Sequence, residues 1–383
     1  MLRYAMRLQE EDPGTPMLFF TEEPEGTASP PQSVLDDMVA RGIRWQPLKY
    51  HVQGRQFMQR MRNMVLFCVK SLWFARRSRK KTVVAFLSMS GSYASVLRSL
   101  GFHRFVLVSF EPHSRYMVEL GVWHEASLKY RVAAWFERRQ LQNADVIVAP
   151  TEAAVDLIAH SGSRARVVHQ GVTVDVRANA RRADKRHALR NTLHLGDRVV
   201  LVYAGKFNGL YYSEAEYVRF MEATCGMDVR VHHLVITFPE HGGLIKEGMA
   251  NKGLEGRCTV LGPMDSDLLT DHLSVADIGV IAVPPTPSQV FRTPVKSALY
   301  WAAGLPIIVP EGISDDWRLT RDRGVGLVVP DLLQVPYGPF KALVAEVAGP
   351  EGPCLQQRCV DTAMACRDTG LMVDALRSAL AGA

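Results

Sequence analysis

The chain has 383 residues, 47% hydrophobic and 22% charged, with a formal net charge of +6. That length exceeds one ordinary core and fits two domains of roughly 150 to 200 residues, while 21 prolines and 29 glycines spread as punctuation exclude a disordered or fibrous chain. No cleavable leader and no run of ~18 uncharged apolar residues is read, and six cysteines without a Cys-x-x-Cys pair argue for reduced thiols over a disulfide scaffold or zinc knuckle, so the expected location is the cytoplasm.

In chain order, Leu2 to Glu10 has the spacing of an amphipathic helix, and Met17 to Phe20 that of a short buried strand. In a parallel sheet a helix normally follows its own strand, so the expectation is that a first strand has been lost or that the true start lies upstream. No Asp or Glu occurs between Asp37 and Glu111, while that interval holds fourteen Lys or Arg, from Arg41 to Arg104. The rest of the chain therefore carries +6 − 14 = −8, and the basicity belongs to one region. Within it, Arg55 to Arg77 alternates cations with Met58, Met61, Val65, Leu66, Val69 and Trp73. This pattern suits either an anionic membrane surface or a helix packed on the sheet with a solvated basic edge. No nucleic-acid module accompanies it.

Thr82 to Leu87 and Arg104 to Phe110 read as buried strands joined by a helix from Ser92 to Leu100, a parallel crossover. Glu111-Pro112-His113 follows at a strand end, where open α/β sheets hold ligands. A helix from Ser127 to Asn143, the strand Val146 to Ala149, a helix capped by Thr151 and the strand Arg166 to Val168 complete a first domain over 1–172. A polar, basic connection over 173–196 follows. Strands then recur at Arg198 to Ala204, His233 to Thr237, Cys258 to Leu261, Ile278 to Ala282, Ile307 to Val309 and Leu327 to Val329, with helices between. They predict a second doubly wound domain over 197–345, followed over 346–383 by C-terminal helices, the last from Leu355 to Leu380.

Two strand ends in the second domain suit phosphate. Gly205-Lys206-Phe207-Asn208-Gly209 is a glycine turn with a cation at its tip. Thr293-Pro294-Val295-Lys296 reads as a helix start, with Thr293 as cap and Pro294 in the first turn, and Gly304 and Pro306 end that helix. Such a start aims backbone N–H groups and the positive end of the dipole outward. The acidic pair in Asp265-Ser-Asp267 imitates a metal motif, but its setting is that of a helix cap, and no metal is expected.

Together these motifs resemble a glycosyltransferase of the GT-B fold, close to family 4 (glycosyl transferases group 1), in which two facing Rossmann-like domains hold a sugar nucleotide. The residues that carry the resemblance are His169-Gln-Gly171-Val-Thr-Val-Asp175, Tyr203-Ala-Gly205-Lys206-Phe207, Leu261-Gly-Pro263 with Ala276-Asp277, Thr293-Pro-Val-Lys296 through Pro306, and Phe110-Glu-Pro-His113. The resemblance implies a fold class of α/β with two doubly wound parallel-sheet domains. It implies that Lys206 and Lys296 bind the diphosphate with Gly205, Thr293 and Pro294, that Gly262 and Pro263 lie beside the base, and that His113 sits under the donor sugar with Glu111 balancing charge. Two glutamates that the family carries eight positions apart fall here on Phe291 and Leu299.

The implied activity is transfer of a sugar, with retention, from a nucleotide-diphosphate sugar to a lipid-linked or saccharide acceptor hydroxyl, without a cofactor, in polysaccharide or glycolipid synthesis. The basic region 41–104 would meet an anionic membrane surface from the cytoplasmic side. The missing acids motivate an alternative, a catalytically idle sugar-nucleotide-binding or scaffolding protein of the same fold. A sugar-nucleotide epimerase is a third reading, which the basic first domain supports less well.

Overall fold

The computed structural model describes residues 1–51 and 56–381; Arg55, the predicted start of the basic helix, lies outside them. The chain first runs through α1 (Leu2–Glu11), β1 (Met17–Pro24), α2 (Gln32–Ala40), β2 (Ile43–Tyr50), α3 (Gln56–Phe74), β3 (Thr82–Phe86), α4 (Leu87–Ser99), β4 (Arg104–Val108), α5 (His113–Glu119), α6 (Leu128–Asn143), β5 (Val146–Ala149), α7 (Glu152–His160) and β6 (Arg166–His169). Strands β3 to β6 form a four-stranded parallel sheet in sequential order. Both of its faces are covered, because alternate residues leave a strand on opposite sides. Phe105 and Leu107 join the core on one side, Val106 and Val108 the core on the other.

Strands β1 and β2 pair in parallel with each other, apart from that sheet. The predicted short buried strand is therefore longer and only half-buried. Its partner β2 was not anticipated, because Pro47 interrupts the run and cannot donate to a ladder, which confines such a strand to an edge. The predicted helix at Ser92 begins instead at Leu87, immediately after β3. Thr151 caps α7 as read, accepting the Ala154 N–H, and Ser127, read as the first residue of α6, is its cap and accepts the Tyr130 N–H.

The second part comprises α8 (Ala183–Thr192), β7 (Val199–Ala204), α9 (Glu214–Met227), β8 (Val231–Ile236), α10 (Pro239–Ala250), β9 (Cys258–Leu261), α11 (Ser266–Leu273), β10 (Ile278–Val280), α12 (Val295–Ala302), β11 (Ile307–Pro310), α13 (Asp316–Arg323), β12 (Gly326–Val329), α14 (Tyr337–Ala348), α15 (Gly352–Arg367) and α16 (Thr369–Ala381). Its six-stranded parallel sheet has the order β12-β11-β10-β7-β8-β9. This is the doubly wound order, and the strand direction of travel reverses between β7 and β10, where such sheets open a ligand crevice at their carboxyl ends.

The basic connection is not free chain. Its helix α8 is pinned to the second domain by Arg186 and Arg190, which pair with Asp277 at 2.7 and 3.4 Å, and by Arg181, which donates to the Ala276 carbonyl at 2.8 Å. The single predicted terminal helix is two helices. Asp368 breaks it, its carboxylate accepting the Gly370 N–H, while the crossing Val174 donates its N–H to the Arg367 carbonyl and accepts the Thr369 N–H. Beyond the break α16 returns to the first domain and lays Met372, Leu376 and Ala379 on the Val106 and Val148 side of its sheet.

Candidate functional site

The loop after β7 forms one wall of the crevice. Asn208 and Gly209 both take positive φ, +65° each, which bends the chain back on itself. The Asn208 side chain donates to both oxygens of Glu214, at 3.1 and 2.9 Å, and fixes the bend to the start of α9. Lys206 is left exposed at the tip, while Tyr211 folds inward.

Lys296, in the first turn of α12, lies against this loop. Its ammonium stands 4.5 Å from the centroid of the Tyr211 ring and 5.6 Å from that of Tyr203, and Lys206 stands 5.9 Å from Tyr211. A Cβ on Gly205 would meet Lys296 Cε at 2.7 Å and the Tyr203 hydroxyl at 2.9 Å, so a larger residue there would have to displace the end of the Lys296 side chain. Among the described residues neither lysine has a carboxylate partner. Burial, and then the neighbouring Lys206, push the Lys296 ammonium down to about 8. Two cations thus face one ring with nothing negative to balance them.

The start of α12 is also without a side-chain cap and has no acid in its first turn. Here the sequence expectation needs correction. Pro294 occupies the cap position, and Thr293 caps nothing. The Thr293 hydroxyl donates instead to the Pro150 carbonyl of the first domain at 2.9 Å and accepts from Ser314 at 3.2 Å. With no Thr293 cap, the first N–H groups of α12 keep their outward polarity.

Thr293 is one of a row of links across the cleft. The Glu119 carboxylate accepts from the Ser288 N–H and hydroxyl, both at 2.9 Å. Asp315 accepts the Glu152 N–H at the start of α7 and pairs with His169 at 3.0 Å. Arg292 reaches over to Glu111 at 2.7 Å, and its guanidinium lies 4.3 Å from the Tyr116 ring centroid. Phe291, in a 3-10 turn over Pro287–Phe291, packs against the core of the first domain. Leu299 is half-buried on the core of the second.

His113 opens the short helix α5, its ring 5.8 Å from Tyr116 and edge-on to Trp123 at 5.7 Å. Its neighbour Ser114 is held by the buried carboxylate of Glu137 on α6, which accepts from the Ser114 N–H at 2.7 Å and hydroxyl at 2.6 Å. Burial lowers the His113 pKa below its ordinary value, and Arg292 and Arg60 lower it further. Burial raises the Tyr116 phenol, with Arg292 opposing and Glu111 and, from the other wall, Tyr211 adding.

The predicted residues therefore fall into groups. Gly205, Lys206 and Lys296 converge with the start of α12, and Glu111 and His113 meet Arg292 and Tyr116 on the facing wall. Gly262 and Pro263 follow β9 and are exposed, with open space around Gly262. Asp265 accepts the Leu268 N–H at 2.8 Å as a helix cap, and Asp267 pairs with Arg182. A cavity of ≈ 300 Å³ lies elsewhere, behind α12, between Leu299, Ser266, Thr270, Thr173 and Tyr4. Sequence reasoning missed Tyr211, Arg292, Tyr116 and Glu137. Only the tyrosine pair at 211 and 212, inside the lysine loop, carried a local signal.

Comparison with known proteins bears on the fold. Residues 14–171 match the model of a glycosyl transferase 4-like domain. No curated protein sequence matches at significance. Among solved structures, the chain is similar to the sucrose-phosphate synthase of Thermosynechococcus elongatus, with a TM-score of 0.68 and 13% identity over 96% of this chain and 100% of that one. It is similar to HepE of Anabaena, solved in complex with UDP, with a TM-score of 0.70 and 11% identity over 96% and 100% of the two chains. It is also similar to WaaG, a glycosyltransferase involved in lipopolysaccharide biosynthesis, with a TM-score of 0.59 and 12% identity over 94% and 90%. The chain thus has the GT-B fold, and its residues 14–171 match the model of a glycosyl transferase 4-like domain.

Proposed function

We propose that the chain transfers a sugar, with retention, from a nucleotide-diphosphate sugar to an acceptor hydroxyl. The observation that carries this reading is the pair Lys206 and Lys296, unbalanced by any carboxylate among the described residues, set beside the uncapped start of α12. A leaving diphosphate gains negative charge as the glycosidic bond breaks. Cations and backbone dipoles already oriented there stabilise that charge without reorganising. Gly205 lets Lys296 approach, Thr293 and Pro294 set the start of the helix, and Gly262 with Pro263 leave room for the base. His113, neutral because its pKa is depressed, offers a hydrogen bond to the donor sugar. Glu111, held by Arg292, balances charge on the same wall. No cofactor beyond the donor is invoked. HepE, solved with UDP and with UDP-glucose, supports a sugar nucleotide as the ligand class.

The acceptor in this reading is a lipid-linked or saccharide hydroxyl in polysaccharide or glycolipid synthesis. The chain works in the cytoplasm, where a charged nucleotide donor is available, with the basic region 41–104 toward the inner face of a membrane. Among the described residues no helix is long and apolar enough to cross one.

Two observations favour a second reading, a sugar-nucleotide-binding protein without turnover. Phe291 and Leu299 are committed to packing, and Glu111 is occupied by Arg292. Donor breakdown measured with and without a panel of saccharide and lipid-linked acceptors separates the two. Transfer supports the enzyme; nucleotide binding without turnover across the panel supports the idle protein.

A further inference from the structure

Helix α3 is apolar on two faces: Met64, Phe67, Cys68 and Leu72 pack inward on the core of the first domain, and a second stripe faces out. Its inward face carries two polar residues, Asn63 and Ser71, beside Phe67 and Cys68, all buried. Asn63 donates to Glu22 and to the Lys49 carbonyl, and Phe67 meets the Phe20 ring at 4.8 Å. Met58, Val65, Val69 and Trp73 are 62%, 57%, 59% and 61% exposed, and they recur at helical spacing along roughly 22 Å of helix. The inward packing with a solvated basic edge, one of the two expectations from sequence, is present, and this outer stripe lies in addition to it.

Cations rim this stripe. Arg62, Lys70, Arg76 and Arg77 are exposed, and among the described residues none of them pairs with a carboxylate, whereas Arg41, Lys49 and Arg98 elsewhere in the basic region do. Arg76 stacks 4.3 Å from the Trp73 ring centroid, which ties a cation to the largest exposed apolar side chain. A second copy of the chain is a poor occupant, because a two-fold interface would set these cations against themselves. A surface that accepts apolar side chains and supplies negative charge at the same depth is a bilayer with anionic headgroups.

The stripe adjoins the cleft. The Tyr93 hydroxyl on α4, which also meets Glu22, donates to the carbonyl of Arg60 near the amino end of α3, and Ser88 in the first turn of α4 donates to the Glu111 carbonyl at the cleft. We propose that the outer face of α3 docks the first domain on an anionic lipid bilayer, with the His113 wall of the cleft beside the membrane surface. This deepens the glycosyltransferase reading and rests on it in one respect: the acceptor is then a lipid-linked hydroxyl presented at that surface.

Flotation of the full chain with vesicles of phosphatidylcholine, with and without phosphatidylglycerol, tests the docking. The chain is expected to float with the anionic vesicles and to be released by salt. Val65→Ser, Val69→Ser and Trp73→Ser together should abolish flotation, and neutralising Arg62, Lys70, Arg76 or Arg77 to Gln should weaken it about fivefold per charge. All these side chains are exposed, so the fold and nucleotide binding should be unchanged. Equal flotation on both vesicles, flotation on neither, or a lipid-free dimer dissociated by Val69→Glu overturns the proposal. Flotation by a chain that binds no nucleotide diphosphate would leave docking standing and remove the sugar-nucleotide reading.

Discussion

Lys296 carries the sharpest residue-scale consequence. Its ammonium is pushed down to about 8 by burial and by Lys206, so the free protein begins to lose this proton just above neutrality. A diphosphate binds the charged form and raises its pKa, so the sign is fixed: affinity is steady below about pH 8 and weakens above it, by up to about tenfold per pH unit. Titration calorimetry from about pH 6.5 to about pH 9.5 checks this, and Lys296→Met should bind weakly without that step. His232 and His233 give the opposite kind of dependence, on stability. Burial lowers them to about 4 and about 3, whereas an unfolded histidine titrates near 6.5. Between those values the unfolded chain binds more protons, so stability is full above about pH 6.5 and is lost as pH falls. Melting curves from about pH 8 to about pH 5 should show the decline, and His232→Gln with His233→Gln should flatten it. At this scale the two lysines were legible, because each stands at a strand end with glycine or proline beside it. Arg292 and Tyr116 were not, since a guanidinium and a ring that meet across a cleft are far apart in sequence and neither has a local pattern.

At the scale of elements, the start of α12 was readable and its chemistry only partly so. Proline, lysine and the closing glycine mark the helix whatever surrounds it, but the Thr293 hydroxyl had a choice between the helix and the Pro150 carbonyl, and only the fold decides that. The polarity of α3 shows the same limit. Its periodicity was plain, yet which face turns inward depends on the β1–β2 pair beneath it, and β2 was hidden by Pro47. The contact between the lysine loop and α12 gives a direct test. Gly205→Ala puts a Cβ against the far end of the Lys296 side chain, which should swing aside with little loss of stability. Displacement of the ammonium should nonetheless weaken nucleotide binding about tenfold, and unchanged affinity in calorimetry would show that Lys296 is not at the site.

For the whole molecule, recurrence of strand and helix revealed two Rossmann-like parallel-sheet domains, because a buried parallel strand writes a continuous apolar run. The return of α16 to the first sheet was not legible. The helical pattern continues through Asp368, and the break comes from a crossing with Val174 that no local window contains. The two walls are held together by charges as well as by chain, with Arg292 and Glu111 the pair nearest the proposed donor. Removing one member of a half-buried pair leaves the other without compensation, so Arg292→Met should destabilise by about 1–3 kcal/mol and the double variant with Glu111→Gln should recover part of it. Thermal melts of the three proteins decide this.

The central claim is that Lys206, Lys296 and the start of α12 form a diphosphate site, and titration calorimetry with UDP, GDP and ADP tests it most directly. The intact chain should bind at least one of them, and Lys206→Ala and Lys296→Met should each weaken that binding by about tenfold to a hundredfold with melting temperature preserved. An intact chain that binds none of the three, or variants that bind as the intact chain does, would contradict it.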